Sequence, residues 1–365
     1  MRSSRSPDTR SGAVALAGNP TAVGTIVDLS DLDVLPEPRF DHLKSMTDHR
    51  GVWEHAEFAS ARLDHGYCTD DNARALIVVT RVEDPSPDLV ELAEIYLAFL
   101  TDAQLPGGGF VNRRNPDGSW SHGVGSDDSQ GRALWALGTA AARGPTEAMR
   151  DLALATFGAN HRFTSPSPRA NAFAVLGAAE VLRSHPSNAP ARTVLERSVD
   201  HLHFHDNPLW PWPEHRLAYD NARIPEALLA AGSLLLDPTL VDAGLGLLEW
   251  LVAVETRDGH FSFTPSGGWT LGETRPGFDQ QPIEAAAIAD ACAAAWVLTR
   301  DPRWAEGVQR AARWFMGDND PGIVLYDSDT GGCGDGLGHG FANLNQGAES
   351  TLAALSTLQH AQIVH

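Results

Sequence analysis

The tetrapeptide Asp-Asn-Ala-Arg occurs twice, at residues 71–74 in YCTDDNARALIVV and at residues 220–223 in LAYDNARIPEALLAAGSLL. In both copies an aromatic residue and polar residues come first, and a run of small and apolar residues follows. The same context recurs four more times, a fixed-layout repeat being the mark of a modular architecture. The further copies are GSDDSQGRALWALGTAAA from Gly125, SPRANAFAVLGAAEVL from Ser167, FDQQPIEAAAIADACAAAWVL from Phe278 and NQGAESTLAALSTLQHA from Asn345. With Asp71, Asp128, Arg169, Asp220, Gln280 and Gln346 as markers, the spacings are 57, 41, 51, 60 and 66 residues.

Second helices are predicted between the markers. DLVELAEIYLAFLTD, TEAMRDLALATFGAN, ARTVLERSVDHLHF, PTLVDAGLGLLEWLVAV and PRWAEGVQRAARWFMGD place apolar residues three and four apart with charges between them. That period describes a half-exposed helix. The marker helices are richer in Ala, Leu and Gly and poorer in charge, as burial on several sides requires. Six hairpins of one buried and one exposed helix form an all-α (α/α)6 toroid, in which every inner helix starts on the same side of the ring. An open solenoid of helix pairs is the rival arrangement. Six copies close a ring, and the long loops all precede inner helices.

Three of these loops share a layout of two short extended runs about a turn. They are LPGGGFVNRRNPDGSWSHGVGSDD around Asn115–Gly118, RDGHFSFTPSGGWTLGETRPGFDQQ around Gly267-Gly268, and DPGIVLYDSDTGGCGDGLGHGFANLNQG. Short β-hairpins before inner helices are therefore expected, and loops on a rigid scaffold are where function usually sits. The ring is assigned to residues 35–365 as one domain. Residues 1–34, rich in Arg, Ser, Gly and Pro without a strong period, read as a flexible tail. The apolar stretch GAVALAG inside it is short for a secretory signal.

Of 365 residues, 42% are apolar and 20% charged, which gives ample core for such a ring. The net charge of −20 argues against nucleic acid and anionic membranes as partners and fits a neutral or cationic substrate. No run reads as a membrane span. Three widely spaced cysteines, Cys68, Cys292 and Cys333, give neither a disulfide framework nor a zinc pattern, so a cytoplasmic location is expected. No metal or cofactor is expected either. DSDTGG at 327–332 lacks the acidic residue that would complete a calcium loop, Gly338 standing in its place. No phosphate-cradling or dinucleotide motif occurs.

Carboxylates gathered at the helix starts point to general acid–base work. The candidates are Asp70, Asp71, Asp127, Asp128, Asp220, Glu284 and Glu349. Each also has a plain structural reading. Aspartate at a helix start is a common cap, and its charge suits the helix dipole. Arg74, Arg132 and Arg223 are placed to pair with the aspartates. In the Asp70–Asp71 pair one acid suffices as a cap and the second is left over. The fourth copy has Tyr219 where the first has Asp70, so Asp71 is the acid that the repeat itself explains. Glu284 follows Pro282 within an alanine-rich segment, where burial would raise its pKa as a general acid requires. Tyr67, Trp120 and Trp269 could stack on the apolar face of a sugar. A Cys68–His65 nucleophile pair is weaker than a packed cysteine.

YCTDDNARALI followed by GSDDSQGRALWALG resembles a bacterial group of toroidal proteins encoded near or fused to glycosyltransferases. Within that group the chain is similar to the actinobacterial methylmannose polysaccharide hydrolases, from about residue 35 to the end. The resemblance implies an endo-acting glycoside hydrolase of an intracellular, partly methylated α-1,4-mannan, inverting, with no cofactor. It carries catalytic roles to Asp70, Asp71 and Glu284. Tyr67, Trp120, Asp128, Asp220, Trp269, Gln281 and Glu349 are the expected substrate contacts. A homodimer remains open. A sugar epimerase or unsaturated-uronyl hydrolase on the same scaffold would rely instead on cavity histidines, for which His65, His122 and His339 are available. A non-catalytic glycan-binding partner of a glycosyltransferase is the third reading.

Overall fold

The computed structural model describes residues 35–202, 204–205 and 207–364. The tail assigned to residues 1–34 lies outside them. Six long helices start close to the six markers: α2 (Thr69–Thr80), α4 (Asp127–Arg143), α6 (Pro168–Ser184), α8 (Arg223–Leu235), α10 (Pro282–Thr299) and α12 (Ala348–Ile363). Each packs against the next, and α12 packs against α2, so the ring is closed and the open solenoid is excluded. Five helices form the outer layer: α3 (Pro87–Ala103), α5 (Glu147–Ala159), α7 (Ala189–Val199), α9 (Pro238–Val254) and α11 (Pro302–Phe315). Each pairs with the inner helix before it. The fold is the (α/α)6 toroid that the repeat implies.

The sixth outer position departs from the pattern. Among the described residues it holds only α1 (Asp41–Ser45), packed on α12. The sequence DHLKSMTDHRG turns at Asp48–Gly51 into a two-stranded ladder instead of continuing the helix, with Thr47 opposite Val52. Gly51 makes that turn at φ +147° against the side chains of Asn72 and Phe99. Ring closure is secured by polar ties. Gln359 Nε2 donates to the Val78 carbonyl at 2.8 Å, and Arg81 reaches Asp290 and Ser356 from α2.

The inner layer is buried because its side chains are small. On α4 and α6 a Cβ at Gly138 or Gly177 would collide with the facing backbone, so these helices meet main chain to main chain. Helix α10 is long and apolar enough to cross a membrane, contrary to the sequence expectation, but 72% of its window is buried inside the ring. Its hydropathy reflects contact with α8, α11 and α12 on several sides.

The loop hairpins form with one change of partner. Asn115–Gly118 is a turn, its Gly118 N–H donating to the Asn115 carbonyl at 2.9 Å. In the next loop the hairpin turns at Asp258-Gly259, pairing Thr256 with Phe261. Gly267-Gly268 makes a separate turn, after which Trp269 bridges to Leu217 of a different loop. Adjacent positive-φ residues at 258 and 259 match the twist of a two-residue hairpin, which explains the shift. The third hairpin pairs 336–338 with 341–343.

Candidate active site

Helices α2, α4, α8, α10 and α12 surround a central cleft of about 400 Å³, part of it open to solvent. Its walls differ. Ile77, Val78, Ile283, Ala286, Leu352 and Ala353 give one apolar side, whereas Arg74, Arg132, Arg223, Asp220, Asp290 and Glu349 carry the charges. Trp135 also lines it, under the guanidinium of Arg223 at 4.6 Å.

The charges form two alternating clusters, one about Arg132 and Arg223 and one about Arg74. Arg132 holds Asp70 at 2.9 Å through Nη1 and Asp220 at 3.1 Å through Nη2, with Asp128 at 3.6 Å. Arg74 joins Asp71 at 2.7 Å to Glu349 at 2.8 Å. Arg223 holds Asp220 at 3.0 Å and Glu226 at 2.8 Å, and it also pairs with Asp290. Buried charges are tolerable only when paired in this way. Burial opposes the Asp290 anion, but Arg81, Arg223 and His360 outweigh it and hold its carboxyl well below the usual range. Burial pushes Glu226 up to about 7 against the pull of Arg223.

Capping does not explain the aspartates. The α4 cap is Ser126, whose hydroxyl accepts from Ser129 N–H at 3.2 Å. The α2 cap is the Cys68 sulfur, which accepts from Asp71 N–H at 3.4 Å. The Cys68 thiol in turn donates to Asp71 Oδ2 at 3.0 Å, so it is a buried structural cysteine, while His65 is exposed. Asp71 is enclosed, with burial raising its pKa and Arg74 lowering it. Asp70 alone of the pair is partly open, its side chain 16% exposed.

Glu284 differs from its neighbours. It is 4% exposed and, among the described residues, no cation pairs with it. Its carboxyl accepts from the backbone N–H groups of Asp220 and Asn221 and from Asn221 Nδ2 at 3.1 Å. Burial, reinforced by Asp220 and Glu255, pushes it up to about 8. A carboxyl in that state carries a proton at neutral pH.

Other expected contacts fall elsewhere. Tyr67 is fully buried, its ring 4.1 Å from that of Trp53 and its hydroxyl on Asp48 at 2.8 Å, so it offers no face to a ligand. It packs inward because its strand pairs Tyr67 with Arg114 beneath the Asn115–Gly118 turn. Trp120 is half-buried between Phe99 and Arg114 and braces that hairpin. Trp269 is half-buried against Trp210, with its indole N–H on the Glu273 carbonyl at 3.0 Å. Gln281 is the N-cap residue of α10 but makes no side-chain capping bond. His122 and His339 are exposed. Asp327 spends its carboxylate on the amides of Asp329 and Thr330, closing its own loop.

Asp290 and Trp135 line the cleft without having been singled out from the sequence. The signal for Asp290 was present, a lone acid in the alanine-rich segment IADACAAAW. Such a charge inside a buried helix needs partners and so marks a polar interior.

No family model matches the chain, and no curated protein matches it. Solved structures do. A sugar epimerase from a ruminal bacterium superposes with a TM-score of 0.68 at 10% identity, over 88% of this chain and 95% of that one. The cellobiose 2-epimerase of Spirochaeta thermophila gives 0.66 at 14% identity, over 89% and 92%. The cellulase Cel9M of C. cellulolyticum gives 0.54 at 9% identity, over 85% and 86%. At such identities the likeness is one of fold.

Proposed function

We propose that the chain is a glycoside hydrolase acting inside a neutral α-linked glycan, with Glu284 as general acid and Asp70 as general base. The observation that carries this reading is the contrast between the two carboxyls. Among the described residues no arginine pairs with Glu284, which is pushed up to about 8, whereas Asp70 is partly open and ion-paired to Arg132. Glycoside hydrolysis needs one carboxyl that holds its proton and a second group placed to activate water. In this reading Glu284 gives its proton to the glycosidic oxygen as the bond to the anomeric carbon breaks. Water attacks that carbon, and its proton passes to Asp70, inverting the centre. Asp220 and Glu349 contact the sugar, and Asp71 positions Arg74. The balanced charges of the cleft and the net charge of −20 suit an uncharged polysaccharide such as a partly methylated α-1,4-mannan. Free, buried cysteines suit a cytoplasmic setting.

An epimerase reading draws on the neighbouring structures, but the lining of the described cleft includes no histidine. The test compares the wild type with Glu284→Gln, Asp70→Asn and Asp71→Asn on O-methylated and plain α-1,4-manno-oligosaccharides, with folding followed by circular dichroism. The first two variants should fold and lose most activity. Full activity in all three would overturn the site, and a product of unchanged length would move the reading to an epimerase.

A further inference from the structure

Beside the cleft, Tyr219 is held in place by more contacts than a surface tyrosine needs. It is 38% exposed. Its hydroxyl donates to Asp128 Oδ2 at 2.5 Å. The Arg169 guanidinium lies 4.7 Å from the centre of its ring, and Arg169 Nε donates to its carbonyl. Arg169 is itself fixed by Glu214 at 2.6 Å and by Asn221 Oδ1 at 3.1 Å.

The backbone is arranged to the same end. Asp220 has φ +51°, a left-handed conformation that costs energy for a residue other than glycine. The turn sends consecutive side chains to different places: Asp220 is 2% exposed and lines the cleft, while Tyr219 remains outside. Through Asp128 and Arg132 the tyrosine connects to Asp70, by contacts of 2.5, 3.6 and 2.9 Å. A rigid, amphipathic ring with a cation beside one face and part of its surface exposed is suited to the apolar C–H face of a sugar.

We infer that Tyr219 is the stacking platform of a sugar subsite at the mouth of the cleft, fixed by Asp128 and Arg169. The inference rests on the glycan-hydrolase reading. It adds a contact that the repeat pattern could not supply, since Tyr219 occupies the place where the first copy carries its extra acid.

The test is calorimetric titration with long α-1,4-manno-oligosaccharides, O-methylated and plain, and with malto-oligosaccharides as a second panel. Wild type, Tyr219→Phe and Tyr219→Ala are compared, with thermal unfolding as the fold control. Removal of the ring should weaken binding about tenfold, the worth of an aromatic stack. Tyr219→Phe keeps the ring and should stay within about threefold of wild type. In turnover, Tyr219→Ala should raise KM far more than it lowers kcat. Unchanged affinity in a folded Tyr219→Ala overturns the platform and leaves the hydrolase reading standing. Failure of every oligosaccharide to bind the wild type overturns both.

Discussion

The two copies of Asp-Asn-Ala-Arg make the same ion pair on different backbones. In the first copy Asp71 pairs with Arg74 at 2.7 Å, and the whole tetrapeptide lies within α2, which begins at Thr69. In the second, Asp220 pairs with Arg223 at 3.0 Å, but α8 begins only at Arg223 and Asp220 is left-handed. The next residues explain the difference. The first copy continues Ala75-Leu76, and the second Ile224-Pro225. Proline lacks an N–H and its ring clashes with the carbonyl four residues back, so it is tolerated only in a first turn. Pro225 thus delays the helix, and the freed N–H groups of Asp220 and Asn221 are taken by Glu284. One repeat spends its extra residue on an acid, Asp70. The other spends it on Tyr219 and on a turn that Glu284 holds.

The comparison can be broken in several places. Glu284→Gln removes the proton donor and keeps much of the clamp. Its kcat should fall about a thousandfold, within the usual range for acid–base catalysis, with circular dichroism unchanged. A change under about tenfold would make Glu284 a clamp alone. Asp220→Ala takes one anion from each of two buried arginines, which keep Asp70, Glu226 and Asp290, and should cost about 1.5–3 kcal/mol in urea unfolding. Asp71→Ala takes an anion from one arginine, Arg74, which keeps Glu349, and an equal cost for the two would deny the difference between copies. Asp70→Asn leaves both pairs of the repeat intact, so its loss should be catalytic, about a hundredfold in kcat, with little change in stability.

The pH response follows from Glu284. Its folded pKa of about 8 lies above the ordinary 4.5, so between those values the folded chain keeps a proton that the unfolded chain has lost. Stability should therefore fall as pH rises through that window, by at most about 1.4 kcal/mol per pH unit for one group. Parallel unfolding curves for wild type and Glu284→Gln isolate the effect, because the variant lacks that slope. Identical slopes would contradict the raised pKa. The smallest effect is expected for Pro225→Ala. It should cost less than about 1 kcal/mol, since Glu284 still holds the turn. A larger loss would show that the proline itself supports the left-handed Asp220.

Much of the ring was legible because its helices are defined by side-chain size. The alanine-rich inner segments mark burial, and the polar first turns mark the cavity end. The sixth outer helix was not legible, since a five-residue segment such as Asp41–Ser45 has no room for a helical period. Tyr67 looked like a ligand contact because it adjoins the aspartates, but strand pairing turns it inward. Asp290 was overlooked because its partners, Arg81, Arg223 and His360, lie on other inner helices. Spacing along the chain identifies which residues share a helix face, but not which faces meet across the ring.

The account's central claim is that Glu284 and Asp70 add water to a glycosidic bond. Its most direct test is incubation of the protein with O-methylated α-1,4-manno-oligosaccharides in ¹⁸O-enriched water, read by mass spectrometry. The account predicts shorter chains with one ¹⁸O at each new reducing end. Chains of unchanged length, isomerised or intact after prolonged incubation while still bound, would contradict it.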